Sequence, residues 1–265
     1  VSAKGDLAEL MTKRIISAAI LIPVALICIF YAPLWLLKFI ILALSLISYH
    51  EWLSFNPIKE RFLYFILALV FLSNILFSFE SVLVVLMLVF LAHMIIGFSS
   101  INKDRVLAQY YLLGGIFYVS LYTFFINIIQ LNDGRWLFLI LCVSIWVGDS
   151  FAYFCGKSFG KIKLAESISP KKTYEGAICG VIFGTFSALI LGYFANIDLK
   201  LAFGIGILSN IAGIFGDLSE SVIKRIYNKK DSSNIIPGHG GMLDRLDSLA
   251  FSAFLVYLMF LWKIF

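Results

Sequence analysis

The sequence predicts an all-α fold, a polytopic membrane bundle of about nine transmembrane helices. Three observations carry that expectation. Of 265 residues, 61% are hydrophobic and only 14% are charged, against roughly 45–50% and about 25% in soluble domains. The mean hydropathy is +0.97. The apolar residues also fall into runs near the ~20 residues that a spanning helix needs. This composition argues against a soluble enzyme, a secreted disulfide scaffold and a disordered regulator. Nine spans take up about 180 residues, so any chemistry belongs to the bundle or to loops packed on it.

In chain order, residues 1–14 form a polar N-terminal segment, in which Met11, followed by Thr12-Lys13-Arg14, is a candidate native start. Hydrophobic segments follow at Ile15–Tyr31, Pro33–Tyr49, Phe62–Phe79, Val82–Phe98 and Val106–Gln130. Four more lie at Trp136–Cys155, Thr173–Ala195, Leu199–Ile226 and Ser248–Phe265. Lys38 and Lys263 sit near segment ends, where their long stems can snorkel to the interface. Cys28, Cys142 and Cys179 lie within apolar runs and Cys155 at the end of one. None forms a C-x-x-C pair, so neither a zinc site nor a disulfide framework is expected, and all four read as small buried apolar residues.

Orientation follows from the basic residues. With the N-terminus cytoplasmic, 17 lysines and arginines fall on the cytoplasmic side and 4 (Lys38, Arg135, Lys200 and Lys263) on the other. That bias supports both the orientation and an odd number of spans.

Two internal connections carry most of the remaining information. One runs from Gly156 to Lys172 and the other from Tyr227 to Asp247; both are basic and contain glycine. Each follows a span that holds a Gly-Asp pair, Gly148-Asp149 in the sixth and Gly216-Asp217 in the eighth. A carboxylate on a membrane helix faces the bundle interior or water, so the two pairs suggest one shared hydrated cavity and a weak internal repeat; the alternative is a structural pair of each aspartate with a lysine. Asp217, Glu220, Ser221 and Lys224 stand at i, i+3, i+4 and i+7, on one helical face, with Arg225 beside them. Beyond them, Pro237 and three nearby glycines make a loop whose N–H groups can approach an anion. A helix starting after Gly241 places Asp244 and Asp247 on one face. Carboxylates beside lysines and arginines suit a magnesium–polyphosphate site; the competing reading is a solvated basic loop that binds anionic lipid heads.

The run from Ser221 to Asp247, with Ser221-Val222-Ile223-Lys224-Arg225, Lys230-Asp231 and Pro237-Gly238-His239-Gly240-Gly241-Met242-Leu243-Asp244-Arg245-Leu246-Asp247, resembles the C-terminal signature of the phosphatidate cytidylyltransferases, or CDP-diacylglycerol synthases. The resemblance extends upstream through Gly148-Asp149-Ser150, Gly156-Lys157, Gly160 and Ser169-Pro170-Lys171-Lys172-Thr173-Tyr174-Glu175-Gly176, about 100 residues in all. It implies that CTP and phosphatidate give CDP-diacylglycerol and pyrophosphate with magnesium, and it leaves open a second cation. Residues 15–130 are then a scaffold of five spans, and residues 131–265 a catalytic membrane region of four spans and two cytoplasmic loops. The implied setting is the cell (inner) membrane, with membrane lipid as partner, no nucleic acid, and a homodimer.

Roles follow from that resemblance. Asp217, Asp244 and Asp247 are expected to bind metal, with Asp149 and Asp231 behind them. Lys224, Arg225, Lys230 and Arg245 are expected to contact phosphates, with Lys171 and Lys172 beside them and Ser221 on the same helix face. Gly240 and Gly241 admit the nucleotide, and His239 either donates to a phosphate oxygen or orients the loop. His50-Glu51 reads as an interfacial anchor with Trp52, close to the site as the other option, and His93 as a satisfied buried histidine. Two rivals stand beside this reading. One is a transporter for an anionic metabolite; the other is a CTP-dependent lipid-alcohol kinase, which would release CDP rather than pyrophosphate.

Overall fold

A computed structural model describes residues 17, 19–55, 61–77, 103–236 and 240–264. Its helices are α1 (Ala19–Tyr31), α2 (Leu34–Phe55), α3 (Arg61–Phe77), α4 (Lys103–Ser120), α5 (Thr123–Ile129), α6 (Gly134–Phe159), α7 (Tyr174–Phe194), α8 (Leu199–Ile226) and α9 (Leu243–Leu261). One antiparallel hairpin, β1 (Lys163–Ala165) with β2 (Ser169–Thr173), joins α6 to α7. Proline, which lacks an N–H, separates α1 from α2 at Pro33, whose carbonyl accepts from the N–H groups of Leu36 and Leu37. Asp133, Asn196 and Asn228 adopt left-handed backbone conformations at the ends of α6, α7 and α8, a role that short Asx side chains tolerate.

Five described stretches are long and apolar enough to cross a bilayer: Leu34–Phe55, Tyr111–Ile129, Gly134–Phe159, Tyr174–Phe194 and Leu199–Ile226. The chain is therefore a multi-pass membrane protein. Among the other expected spans, Val82–Phe98 lies outside the described residues, and with it His93. Helix α9 carries Asp244, Arg245 and Asp247 near its start, which leaves an apolar stretch shorter than the ~20 residues of a full span.

Three expectations are corrected. The all-α class stands, but the connection Gly156–Lys172 is only partly a loop: α6 runs on to Phe159 and most of the remainder pairs as the hairpin. The run Val106–Gln130 is not one helix, since Leu121 and Tyr122 turn between α4 and α5. There the Ser120 and Thr123 hydroxyls donate to the carbonyls of Phe117 and Ser120 at 2.6 and 2.7 Å, in competition with the helical ladder. Cys155 and Cys179, expected to be separate apolar residues, form a disulfide between α6 and α7. Their separation of 24 residues gives no local signal, and it is the antiparallel packing of the two helices that brings them together.

The chain divides into two units, Val1–Ile126 with Asp231–Leu243, and Asn127–Lys230 with Asp244–Phe265. In the first, α2 packs on α3 and α4 around a core that includes Tyr49, Trp52, Leu72, Leu112 and Ile116. Trp52 Nε1 donates to the Tyr111 carbonyl at 3.1 Å, and the Tyr111 hydroxyl donates back to the Trp52 carbonyl at 2.6 Å. The Trp52 indole leaves no room for a side chain at Gly115 of α4.

In the second unit, α6, α7 and α8 pack closely through small residues, the usual device where lipid weakens any hydrophobic drive between helices. A Cβ at Gly180 of α7 would lie 2.9 Å from the Gly148 carbonyl oxygen and 3.1 Å from Ala152 Cβ. Asn210 of α8 fills the adjoining space, and a Cβ at either Gly148 or Gly184 would strike its amide. Its Nδ2 donates to Ser144 Oγ at 2.7 Å and to the Gly206 carbonyl at 2.8 Å, while Ser144 Oγ donates to the Gly184 carbonyl at 3.0 Å. Ser252 Oγ of α9 donates to the Ser209 carbonyl at 2.6 Å, so four helices share one polar node.

A bulky side chain at Gly180 should lower stability, and one at an open glycine should not. Gly180→Leu is expected to cost about 1–3 kcal/mol by overpacking, which lowers Tm in detergent by roughly 3–10 °C. Gly114, which has nothing within 4 Å of a built Cβ, should accept alanine with Tm unchanged or slightly raised.

Candidate functional site

The two Gly-Asp pairs act as approach points. Gly148 lies under the Asn210 amide, and a Cβ on Gly216 would collide with the backbone of Asp247. Each glycine lets a neighbouring helix close in, and the residue after it, Asp149 or Asp217, presents a carboxylate to a common cluster. Asp149 interacts electrostatically with Asp217, Lys172 and Arg245. Asp247, 7% exposed, interacts with Asp217, Lys224 and Asp149.

Helix α8 supplies the spine of the cluster. Glu220, Ser221 and Lys224, on one face by their spacing, are buried. Lys224 sits between two carboxylates, pairing with Glu220 one turn below and with Asp244 Oδ1 of α9 at 2.6 Å. Asp217 pairs with Lys172 and accepts from Ser221 Oγ at 3.3 Å. Strand β2 accounts for the choice of lysine. Neighbouring strand residues face opposite sides, so Lys172 reaches Asp217 whereas Lys171 is exposed. Thr173 ends the strand and caps α7, accepting from Gly176 N at 3.2 Å, as an N-cap threonine does.

The structure therefore gathers Asp149, Lys172, Asp217, Ser221, Lys224, Asp244 and Asp247, and brings Arg245 within electrostatic range. It does not place Arg225 beside Lys224. Arg225 is exposed and donates to the Ile168 carbonyl at 3.1 Å and the Lys229 carbonyl at 2.7 Å, tying the hairpin turn to the end of α8. Lys230 and Asp231 are exposed, and His239 lies outside the described residues. Gly240 adopts φ 86°, a left-handed conformation suited to glycine, and its carbonyl accepts from Ile236 N at 2.9 Å.

Two residues were not assigned from the sequence. Glu220, fully buried, had a signal, since it stands four residues before Lys224 on the same face. Glu51, which the sequence offers first as an interfacial anchor with Trp52 and second as a residue close to the site, is buried at 1% exposure rather than anchored at a surface. Its carboxylate accepts from Ser232 Oγ (2.9 Å), Ser233 Oγ (2.6 Å), Met242 N (3.0 Å) and Leu243 N (2.8 Å).

The carboxylate donors are oxygen ligands of the type that a hard divalent cation such as magnesium takes. Asp149, Asp217, Glu220, Asp244 and Asp247 face Lys172, Lys224 and Arg245, a formal excess of two negative charges. Among the described residues no group of three or more acidic, histidine or cysteine side chains is arranged to hold a metal ion.

Residues 12–262 match the model of the cytidylyltransferase family. The chain is 41% identical over 155 residues to the phosphatidate cytidylyltransferase of Bacillus subtilis, covering 57% of this chain and 58% of that protein. It is 42% identical over 146 residues to the enzyme of that name from Aquifex aeolicus, covering 54% of each. To the one from Rickettsia felis it is 36% identical over 152 residues, covering 54% of this chain and 67% of that protein. The chain thus spans about half the length of the first two relatives.

The buried ion triad makes its own prediction. Removing one partner strands a buried charge, so Lys224→Ala should cost about 3–5 kcal/mol. The triple change Lys224→Met, Glu220→Leu and Asp244→Leu should recover most of that loss, because replacing the three ions together strands none of them. Thermal unfolding in detergent measures both.

Proposed function

Because the chain belongs to the cytidylyltransferase family, we propose that it transfers the cytidylyl group of CTP to phosphatidate, giving CDP-diacylglycerol and pyrophosphate for phospholipid synthesis. The observation that supports this reading best is the fixed cation, Lys224 between Glu220 and Asp244, within a cluster of oxygen donors on membrane helices. The nucleophile is a phosphate oxygen of the lipid, already anionic at neutral pH, so no serine, histidine or other general base has to remove a proton. A P–O bond forms to the α-phosphorus of CTP, the α–β P–O bond breaks, and pyrophosphate leaves with the electron pair.

The obstacle is repulsion between two polyanions. Lys224 is held in place before substrate arrives, so it stabilises negative charge without reorganising. Lys172 and Arg245 add cationic charge from β2 and α9, and Ser221 offers a hydroxyl on the same face. Asp217, Asp244, Asp247 and Asp149 would hold magnesium, with Glu220 keeping Lys224 in register. When bound, the ion would supply charge neutralisation and a template for the phosphates. Gly240 and Gly241 would let backbone approach the nucleotide, while spanning helices admit the lipid from the bilayer. The same proposal includes a homodimer, nine spans, and basic connections facing the cytoplasm. The split of 17 basic residues against 4 supports that orientation.

CTP labelled at its α-phosphate, incubated with purified protein, phosphatidate and magnesium, should place label in CDP-diacylglycerol, and EDTA should abolish it. Label absent from the lipid with CDP released instead would indicate a lipid kinase, and passage of substrate across vesicles without chemistry would indicate a transporter. Asp244→Asn should leave under about a tenth of the turnover, the scale on which lost transition-state stabilisation is felt, in a protein that still inserts and elutes as the wild type.

A further inference from the structure

We propose that Glu51, near the C-terminal end of α2, is a positioning residue that fixes the Asp231–Leu243 loop in the form that presents Gly240 and Gly241 to the phosphates of the nucleotide. The inference rests on the reading above for what the loop binds, and on geometry alone for how the loop is held. An ionised carboxylate has about four acceptor sites, and four donors meet the Glu51 carboxylate. Two of them, the Ser232 and Ser233 hydroxyls, come from the start of the loop. The other two, the Met242 and Leu243 N–H groups, come from its end, where the first N–H groups of a helix lack partners within it. One side chain thus closes the neck of the loop at both sides, and its negative charge suits the positive end of a helix.

The glycines fit the same clasp. A Cβ on Gly241 would come within 2.6 and 2.7 Å of the two Glu51 oxygens and would also strike Ser232 Oγ. Gly240, at φ 86°, pairs with Ile236 across the loop. Glycine is therefore needed at 241 because the carboxylate passes there, and at 240 because of the backbone turn. Every donor to Glu51 named here is a neutral hydroxyl or amide, so its role is geometric and not the neutralisation of a partner cation.

Glu51→Gln removes one acceptor oxygen and turns an amide N–H towards donors. Hydrogen exchange of the substrate-free protein should then speed up about tenfold or more across residues 231–243, with α6, α7 and α8 unchanged. In the CTP and phosphatidate assay, the KM for CTP should rise about tenfold while that for phosphatidate stays at the wild-type value. Glu51→Asp should restore part of both effects, and Ser233→Ala, which removes a single donor, should show a smaller change of the same kind if Glu51→Gln does not fold. Unchanged exchange in the loop overturns the proposal, as does acceleration spread equally through α6 to α8. Faster loop exchange with an unaltered KM for CTP overturns the assignment to nucleotide presentation. Wild-type protein that makes no CDP-lipid defeats the functional reading instead, and the exchange measurement still decides whether Glu51 holds the loop.

Discussion

The close approach of α6, α7 and α8 at their glycines is the constraint on which the functional cluster depends. Lipid is as apolar as a leucine side chain, so these helices gain little by hiding hydrophobic surface from it. Contact distance and buried hydrogen bonds must hold them together. Gly148, Gly180 and Gly184 remove the side chains that would keep the backbones apart, and Asn210 fills the resulting space with hydrogen bonds to Ser144 and Gly206. Gly216 does the same for α9 against α8. A carboxylate that follows such a glycine is brought in with the backbone, which gives the repeated Gly-Asp pair a mechanical reason.

Placing charge in that interior has consequences of its own. Lys224, paired with Glu220 and Asp244, is shielded from water, and a buried ion pair of this kind gains little net stability over an apolar replacement. What it provides is a cation at a fixed point, where an anionic group can meet it without first displacing mobile water. The surplus of carboxylates in the same cluster stays tolerable when positive charge arrives from outside the chain. Lys172 enters from a strand whose neighbouring residue, Lys171, is turned the other way, so the hairpin selects which of two adjacent lysines serves the cluster.

The scaffold contributes more than anchorage. Within the unit formed by residues up to Ile126 and the Asp231–Leu243 loop, α2 and α4 are joined by the reciprocal hydrogen bonds of Trp52 and Tyr111. The residue immediately before Trp52 is the carboxylate that closes the loop. A helix legible only as generic membrane sequence thereby carries a polar residue that shapes the most distinctive motif in the chain.

Sequence alone determined whatever has a short period or a local chemical signature. Composition established the membrane setting. The 3.6-residue repeat put Asp217, Glu220, Ser221 and Lys224 on one face, and the glycine-rich run after Asp231 marked the distinctive loop and the start of α9 near Leu243. Tertiary structure alone decided the matters that join distant segments: the Cys155–Cys179 disulfide, the choice of Lys172 over Lys171, the turning of Arg225 towards Ile168, and the clasp of Glu51 on residues more than 180 positions away. The physical reason is that helical periodicity and capping act over a few residues, whereas a buried carboxylate finds its partners only after the chain has folded around it. In one sequence, Glu51 and an interfacial glutamate look the same until the donors arrive.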